Sequence, residues 1–261
     1  MSRCDVPARS CAVGRRSKPN ASARLTRRRW YAAMTAQRTV IHQRSNSIIE
    51  IFSQRSHFQR VSKERLIVFL KAPRLGMVKT RLAQTAGQER ALKVYRELVE
   101  TVLEGIRTVP NVELHFTPTD ALSEIQPWLR ENWTAHAQAD GDLGERMQRA
   151  FADAFASGAE RVVIIGSDAP EVRTGDIRAA WKELKSHDIV VGPAIDGGYW
   201  LIGLRAPQPE LFREISWSSE QVLGQTLARA KSVGLKIQLL RILADVDTEE
   251  DWNAYVRERG H

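Results

Sequence analysis

The pattern of apolar residues changes character near residue 63. Residues 1–30 show no hydrophobic periodicity, whereas from Lys63 onward short apolar runs alternate with amphipathic stretches. The run Leu66-Ile67-Val68-Phe69-Leu70 is apolar at every position, as expected of a strand covered on both faces. A loop with Pro73 and Gly76 follows. Leu92, Tyr95, Val99, Val102 and Ile106, spaced three or four apart, then predict a helix over 88–107. Further strands are predicted over 112–116, 162–165, 189–191, 199–204 and 236–242. Helices are predicted over 120–130, from the glycine-punctuated loop 140–144 to about residue 157, over 174–186 and 219–232, and from Glu249 onward.

Strands that alternate with helices imply a three-layer α/β/α, Rossmann-like sandwich around a mostly parallel sheet. Ligands of such sheets bind beyond the carboxyl ends of the strands. The loops 71–81, 166–170, 192–198 and 244–247 are therefore expected to meet at that edge.

Charge divides the chain at the same place. The 261 residues carry a formal net charge of +8, which by itself points to a polyanionic partner. Residues 1–62, however, hold twelve arginines and Lys18 against Asp5 and Glu50, a net of +11, and residues 63–261 carry −3. Two parts are expected: a basic, disordered leader over 1–62 and a catalytic domain over 63–261. The leader lacks the apolar core of a secretory signal. Its composition fits an over-extended start (Met34 is an alternative), a transit peptide, or a polyanion contact through Arg27-Arg28-Arg29. Residues 45–60 are read as a short amphipathic helix. Cys4 and Cys11 cannot form a disulfide framework. With no apolar run long enough to span a bilayer, the expected location is the cytoplasm, with neither membrane nor specific nucleic acid as partner.

Four constellations carry candidate chemistry. After the first strand, Lys71, Lys79, Thr80 and Arg81 put three cations and a hydroxyl near Gly76, where the backbone can approach a bulky anion. This suits a di- or triphosphate, although Val78 and Pro73 exclude a Walker A loop. Asp168, at the end of the run 162–165, can hold a divalent cation beside phosphates, or simply form a turn before Pro170. Asp245 and Asp247 alternate on one side of an extended segment, so that both carboxylates can face one metal ion, while Thr248 and Asp251 read as a capping box. Asp196-Gly197-Gly198-Tyr199 is either a hairpin turn or a substrate-bordering loop in which Asp196 acts as a base. Trp217 fills core or borders the substrate, and Ser218 with Gln221 is read as a capping box.

The segments KAPRLGMVKTRL, GDLGERM, GSDAP, GPAIDGGYWLIGL, ISWSSEQVL and DVDTEEDW, in this order, resemble the DUF2064-type nucleotide-diphospho-sugar transferase family, which has a glycosyltransferase-A-like fold. The resemblance spans residues 65–256. It extends more loosely to phospholactate and molybdenum-cofactor guanylyltransferases. It implies phosphate contacts from Lys71, Lys79 and Arg81, and a Mg²⁺ or Mn²⁺ ion on Asp168 and Asp247. It also implies an acceptor or sugar pocket bordered by Asp196, Gly197, Gly198 and Tyr199. The lone acid of GSDAP departs from the Asp-x-Asp pair common in glycosyltransferases of this fold.

The expected activity is metal-assisted transfer from a nucleotide-sugar donor to a small-molecule acceptor, with Asp168, Lys79 and Asp196 as catalytic residues. Nucleotidyl transfer from an NTP, releasing pyrophosphate, is the alternative. A non-catalytic nucleotide- or RNA-binding module is the third reading.

Overall fold

A computed structural model describes residues 63–258 and residue 260. The leader and its helix over 45–60 lie outside the described residues. Seven strands form one sheet: β1 (Glu64–Lys71), β2 (Val112–Thr117), β3 (Thr134–Ala137), β4 (Arg161–Ile165), β5 (Ile189–Pro193), β6 (Tyr199–Leu204) and β7 (Ile237–Leu239), in the spatial order β3-β2-β1-β4-β6-β5-β7. Strand β6 runs antiparallel to both β4 and β5, and every other pairing is parallel.

The helices are α1 (Thr80–Ala86), α2 (Gln88–Gly105), α3 (Leu122–Ile125), α4 (Leu143–Ala156), α5 (Thr174–Glu183), α6 (Val222–Ser232) and α7 (Glu249–Glu258). A 3₁₀ turn, Gln126–Trp128, extends α3. No helix among the described residues is long and apolar enough to cross a membrane.

Alternation along the strands separates two cores. Leu66, Val68 and Leu70 of β1 pack with Val99 and Val102 of α2, with Ile106 just after it, and with Ile177 and Trp181 of α5. Ile67, from the opposite face of β1, packs with Met147 and Phe151 of α4 and Ala230 of α6. Both faces of β1 are thus covered, and the apolar run leaves no position for a polar residue at its centre. A smaller core sets α1 and α7 against α2 through Leu82, Val94, Leu98, Val246 and Trp252. This is the expected α/β/α sandwich.

Three local details differ from the expectations. Helix α1 falls partly inside the stretch read as a loop. Strand β3 is a mostly exposed edge strand and was not anticipated. The expected Ser218–Gln221 capping box does not form: Ser218 has a left-handed backbone (φ 63°), the Gln221 N–H donates to Ser219 Oγ, and α6 begins only at Val222.

Candidate active site

The four expected loops do converge at the carboxyl edge. The Val246 N–H donates to the Asp168 carbonyl at 2.9 Å, tying the segment before α7 to the end of β4. Ile195 N–H reaches the Leu243 carbonyl at 3.1 Å, joining the β5–β6 turn to the same segment. A cleft of about 520 Å³ lies at this edge, lined from the loops 71–81, 166–170 and 244–247 but by no residue of 192–198.

Lys79 occupies its polar centre. This residue precedes α1 with a left-handed backbone (φ 44°, ψ 51°), a conformation that costs a non-glycine residue about 1–2 kcal/mol. Nζ lies 2.5 Å from Asp168 Oδ1 and 3.0 Å from Asp247 Oδ1, and Arg81 Nη1 lies 3.5 Å from Asp247 Oδ2. The lysine side chain is 4% exposed, whereas those of Asp168 and Asp247 are 44% and 38% exposed. Burial works to lower the ammonium pKa, but the two facing carboxylates outweigh it and hold the lysine charged above its ordinary range.

Asp245 shows the opposite balance. Burial, joined by the charges of Asp168, Asp196 and Asp247, pushes its carboxyl up to about 7, against an opposing pull from Lys79. The cleft therefore holds more carboxylate charge than Lys79 satisfies. Hard carboxylate oxygens with a surplus of negative charge suit Mg²⁺ or Mn²⁺, which commonly take one or two protein carboxylates and complete their shell with phosphate and water. Among the described residues no three acidic, His or Cys groups cluster to enclose an ion alone. Asp168 and Asp247 are drawn onto the ammonium instead. The donor set thus fits an ion shared with a phosphate ligand.

Lys71, Lys79, Thr80, Arg81, Asp168, Tyr199, Asp245 and Asp247 all line the cleft. Gly76, Asp196, Gly197, Gly198 and Trp217 do not. Gly76 turns the loop (φ 75°) against Gln88. The exposed Asp196 carboxylate accepts the Gly198 N–H at 2.9 Å and so closes the β5–β6 hairpin. A Cβ on Gly197 would come within 2.3 Å of the Glu220 carbonyl oxygen, because the turn docks on the backbone before α6. Trp217 packs on the backbone of Gly144, and its ring joins the core under α4. Thr248 and Asp251 form the expected capping box: the Asp251 N–H donates to Thr248 Oγ1 (3.2 Å) and the Thr248 N–H to Asp251 Oδ2 (2.8 Å).

Several cleft residues were not anticipated. Tyr95, read as a core position of α2, accepts the Lys71 N–H and donates its hydroxyl to the Lys71 carbonyl, both at 2.8 Å, fixing the end of β1. Gln138, Arg146 and Ser167 also line the cleft. The sequence signal for Arg146 is its place in GDLGERM, whose Asp142 and Glu145 form a reciprocal cap at the start of α4.

The model of DUF2064, a family of uncharacterized proteins conserved in bacteria, matches residues 105–219. A protein from Desulfovibrio desulfuricans G20, assigned as a nucleotide-diphospho-sugar transferase, is 35% identical, with a TM-score of 0.71 over 76% of this chain and 88% of that one. A nucleotidyl transferase from Methanothermobacter thermautotroptrophicus aligns over 76% of this chain and 99% of its own at 12% identity and a TM-score of 0.53. CMP:2-keto-3-deoxy-manno-octonic acid synthetase, in its complex with CTP, aligns over 76% and 98% at 10% identity and a TM-score of 0.50. The last two share the fold alone. No curated protein matches the sequence. By its 35% identity across most of the Desulfovibrio protein, the chain belongs to the DUF2064-type nucleotide-diphospho-sugar transferase family.

Proposed function

We propose that this transferase moves a glycosyl group from a nucleoside-diphosphate sugar to a small-molecule acceptor in the cleft at the carboxyl edge of the sheet. The observation that carries the reading is the meeting of Lys79 and Arg81 with Asp168 and Asp247. Four charged groups from three separate loops converge where a diphosphate would be held. The cleft volume of about 520 Å³ falls within the usual range for small-molecule sites.

In the reaction the acceptor oxygen bonds to the anomeric carbon as the bond from that carbon to the diphosphate oxygen breaks. The acceptor hydroxyl releases its proton to solvent, and the nucleoside diphosphate leaves with an added negative charge. Lys79 and Arg81 lie in place to stabilise that charge, and Lys71 adds a cation at the end of β1. Asp168 and Asp247 would hold a Mg²⁺ or Mn²⁺ ion, which when bound neutralises the leaving diphosphate. Asp196 does not line the cleft, so the role of base is not given to it.

Nucleotidyl transfer is the second reading, favoured by the placement of the cationic loop directly after β1. There an acceptor phosphate would attack the α-phosphorus of an NTP and displace pyrophosphate. Products separate the two. Free nucleoside diphosphate formed from a nucleotide sugar supports glycosyl transfer, and pyrophosphate formed from an NTP supports nucleotidyl transfer. A panel of nucleotide sugars and NTPs that yields neither product with Mg²⁺ or Mn²⁺ would sink both.

A further inference from the structure

Arg146 enters the cleft from the layer opposite Lys79. Helix α4 packs on the face of the sheet that carries Ile67, whereas α1, which follows Lys79, packs with α2 and α7. Its guanidinium is held by neutral partners. Nη1 donates to Gln138 Oε1 at 3.1 Å, and Nε donates to the Asp142 carbonyl at 3.2 Å. Among the described residues no carboxylate stands within 4.0 Å of it, whereas Arg74, Arg205 and Arg241 each face an acid. Two of five N–H donors are engaged, so three remain for a ligand.

Gln138 fixes this arrangement. Its side chain is buried, with the residue 7% exposed. Its Nε2 donates to the His115 carbonyl at 2.7 Å and the Leu70 carbonyl at 3.4 Å, leaving Oε1 for the arginine. A guanidinium oriented by a buried amide and a backbone carbonyl keeps its attraction for an anion, because neither neutral partner cancels its charge. Apolar wall from Phe69, Leu143 and Met147 lines the same cleft.

We propose that Arg146, positioned by Gln138, binds an anionic phosphate or carboxylate group of the acceptor substrate. The inference rests on the cleft being the transferase site. The donor diphosphate is assigned to the cations after β1, and Arg146, on a different layer with its own support, is left for a second anion.

The test uses the full chain labelled with ¹⁵N-arginine. The Arg146 Nε–H signal is identified by its loss in Arg146→Lys, then followed during titration with inorganic phosphate and with acetate. A saturable shift is expected, weakened about tenfold in Gln138→Leu, whose leucine cannot orient the guanidinium. A response to phosphate only assigns a phosphorylated acceptor, and a response to acetate only assigns a carboxylated one. A signal indifferent to both anions overturns the proposal. Calorimetric titration with GDP, UDP and ADP reads the donor site separately. If Arg146→Lys weakens their binding tenfold, Arg146 belongs to the donor site and the acceptor assignment falls. If none of them binds the wild type while the Arg146 signal still responds, the transferase reading fails and the anion site stands.

Discussion

The Lys79 ammonium lies 2.5 Å from the Asp168 carboxylate, with the lysine almost wholly buried and the aspartate open to the cleft. This asymmetry separates what each partner does for stability from what it does for ligand binding. Lys79→Ala removes a cation whose partners can rehydrate, so the penalty falls below the 3–5 kcal/mol typical of a broken fully buried pair. The melting temperature is expected to fall by only a few degrees, while turnover drops about 100-fold or more through lost charge stabilisation. Differential scanning calorimetry and a product assay on the same sample check both halves. Wild-type turnover in the variant would remove Lys79 from the site.

Asp245 gives a pH dependence with a definite sign. Its carboxyl titrates near 7 in the folded chain and near 3.8 when unfolded. Between those values the folded state binds more protons than the unfolded one, so this residue lowers stability as pH rises through that window. Asp245→Asn should therefore melt a few degrees higher than the wild type at pH 8 and at nearly the same temperature at pH 4. The comparison is made in EDTA, so that no cation neutralises the acid. A gain of equal size at both pH values contradicts the assignment.

Tyr95→Phe removes a hydroxyl that bonds both the N–H and the carbonyl of Lys71. The loss is expected to cost about 1–2 kcal/mol of stability. With the end of β1 loosened, nucleotide affinity should also fall several-fold, as isothermal titration would show. Loss of stability without loss of affinity would confine Tyr95 to a core role.

Gly144→Ala places a Cβ about 2.5 Å from the Trp217 ring, a separation real Cβ atoms do not tolerate. Trp217 must shift from its seat on α4, at a cost of about 1–3 kcal/mol. Chemical denaturation measures the loss, and a change in tryptophan emission reports the displaced ring. An unchanged midpoint and spectrum would show that the site relaxes without moving Trp217.

The parts legible in the sequence are those set by burial. The apolar runs of β1 and β4 are covered on both faces, and the three-to-four spacing of Tyr95, Val99 and Val102 in α2 reflects the stripe it buries against the sheet. Strand β3 (Thr-Ala-His-Ala) lies at the sheet edge with little burial, so nothing in its composition marks it. Helix α1 has seven residues and a left-handed Lys79 where a capping side chain would stand, so it lacks the usual start signal. The charged centre around Lys79 could be read because unusual residues crowd one loop. Arg146 could not, because its role depends on Gln138 reaching it from the loop after β3, and spacing along the chain does not record that contact.

The reversed strand β6 alters the geometry of the ligand edge. A parallel strand presents only its end there, and the chain must then travel the length of the domain before returning. Because β6 starts at this edge, the chain leaving β5 comes back after one short turn, so Tyr199 reaches the cleft with no intervening helix. The segment 194–198 is thus a short turn fixed at both sides, by Ile195 on Leu243 and by Gly197 against Glu220, and a change in its length would disturb the register of β5 and β6 beneath it.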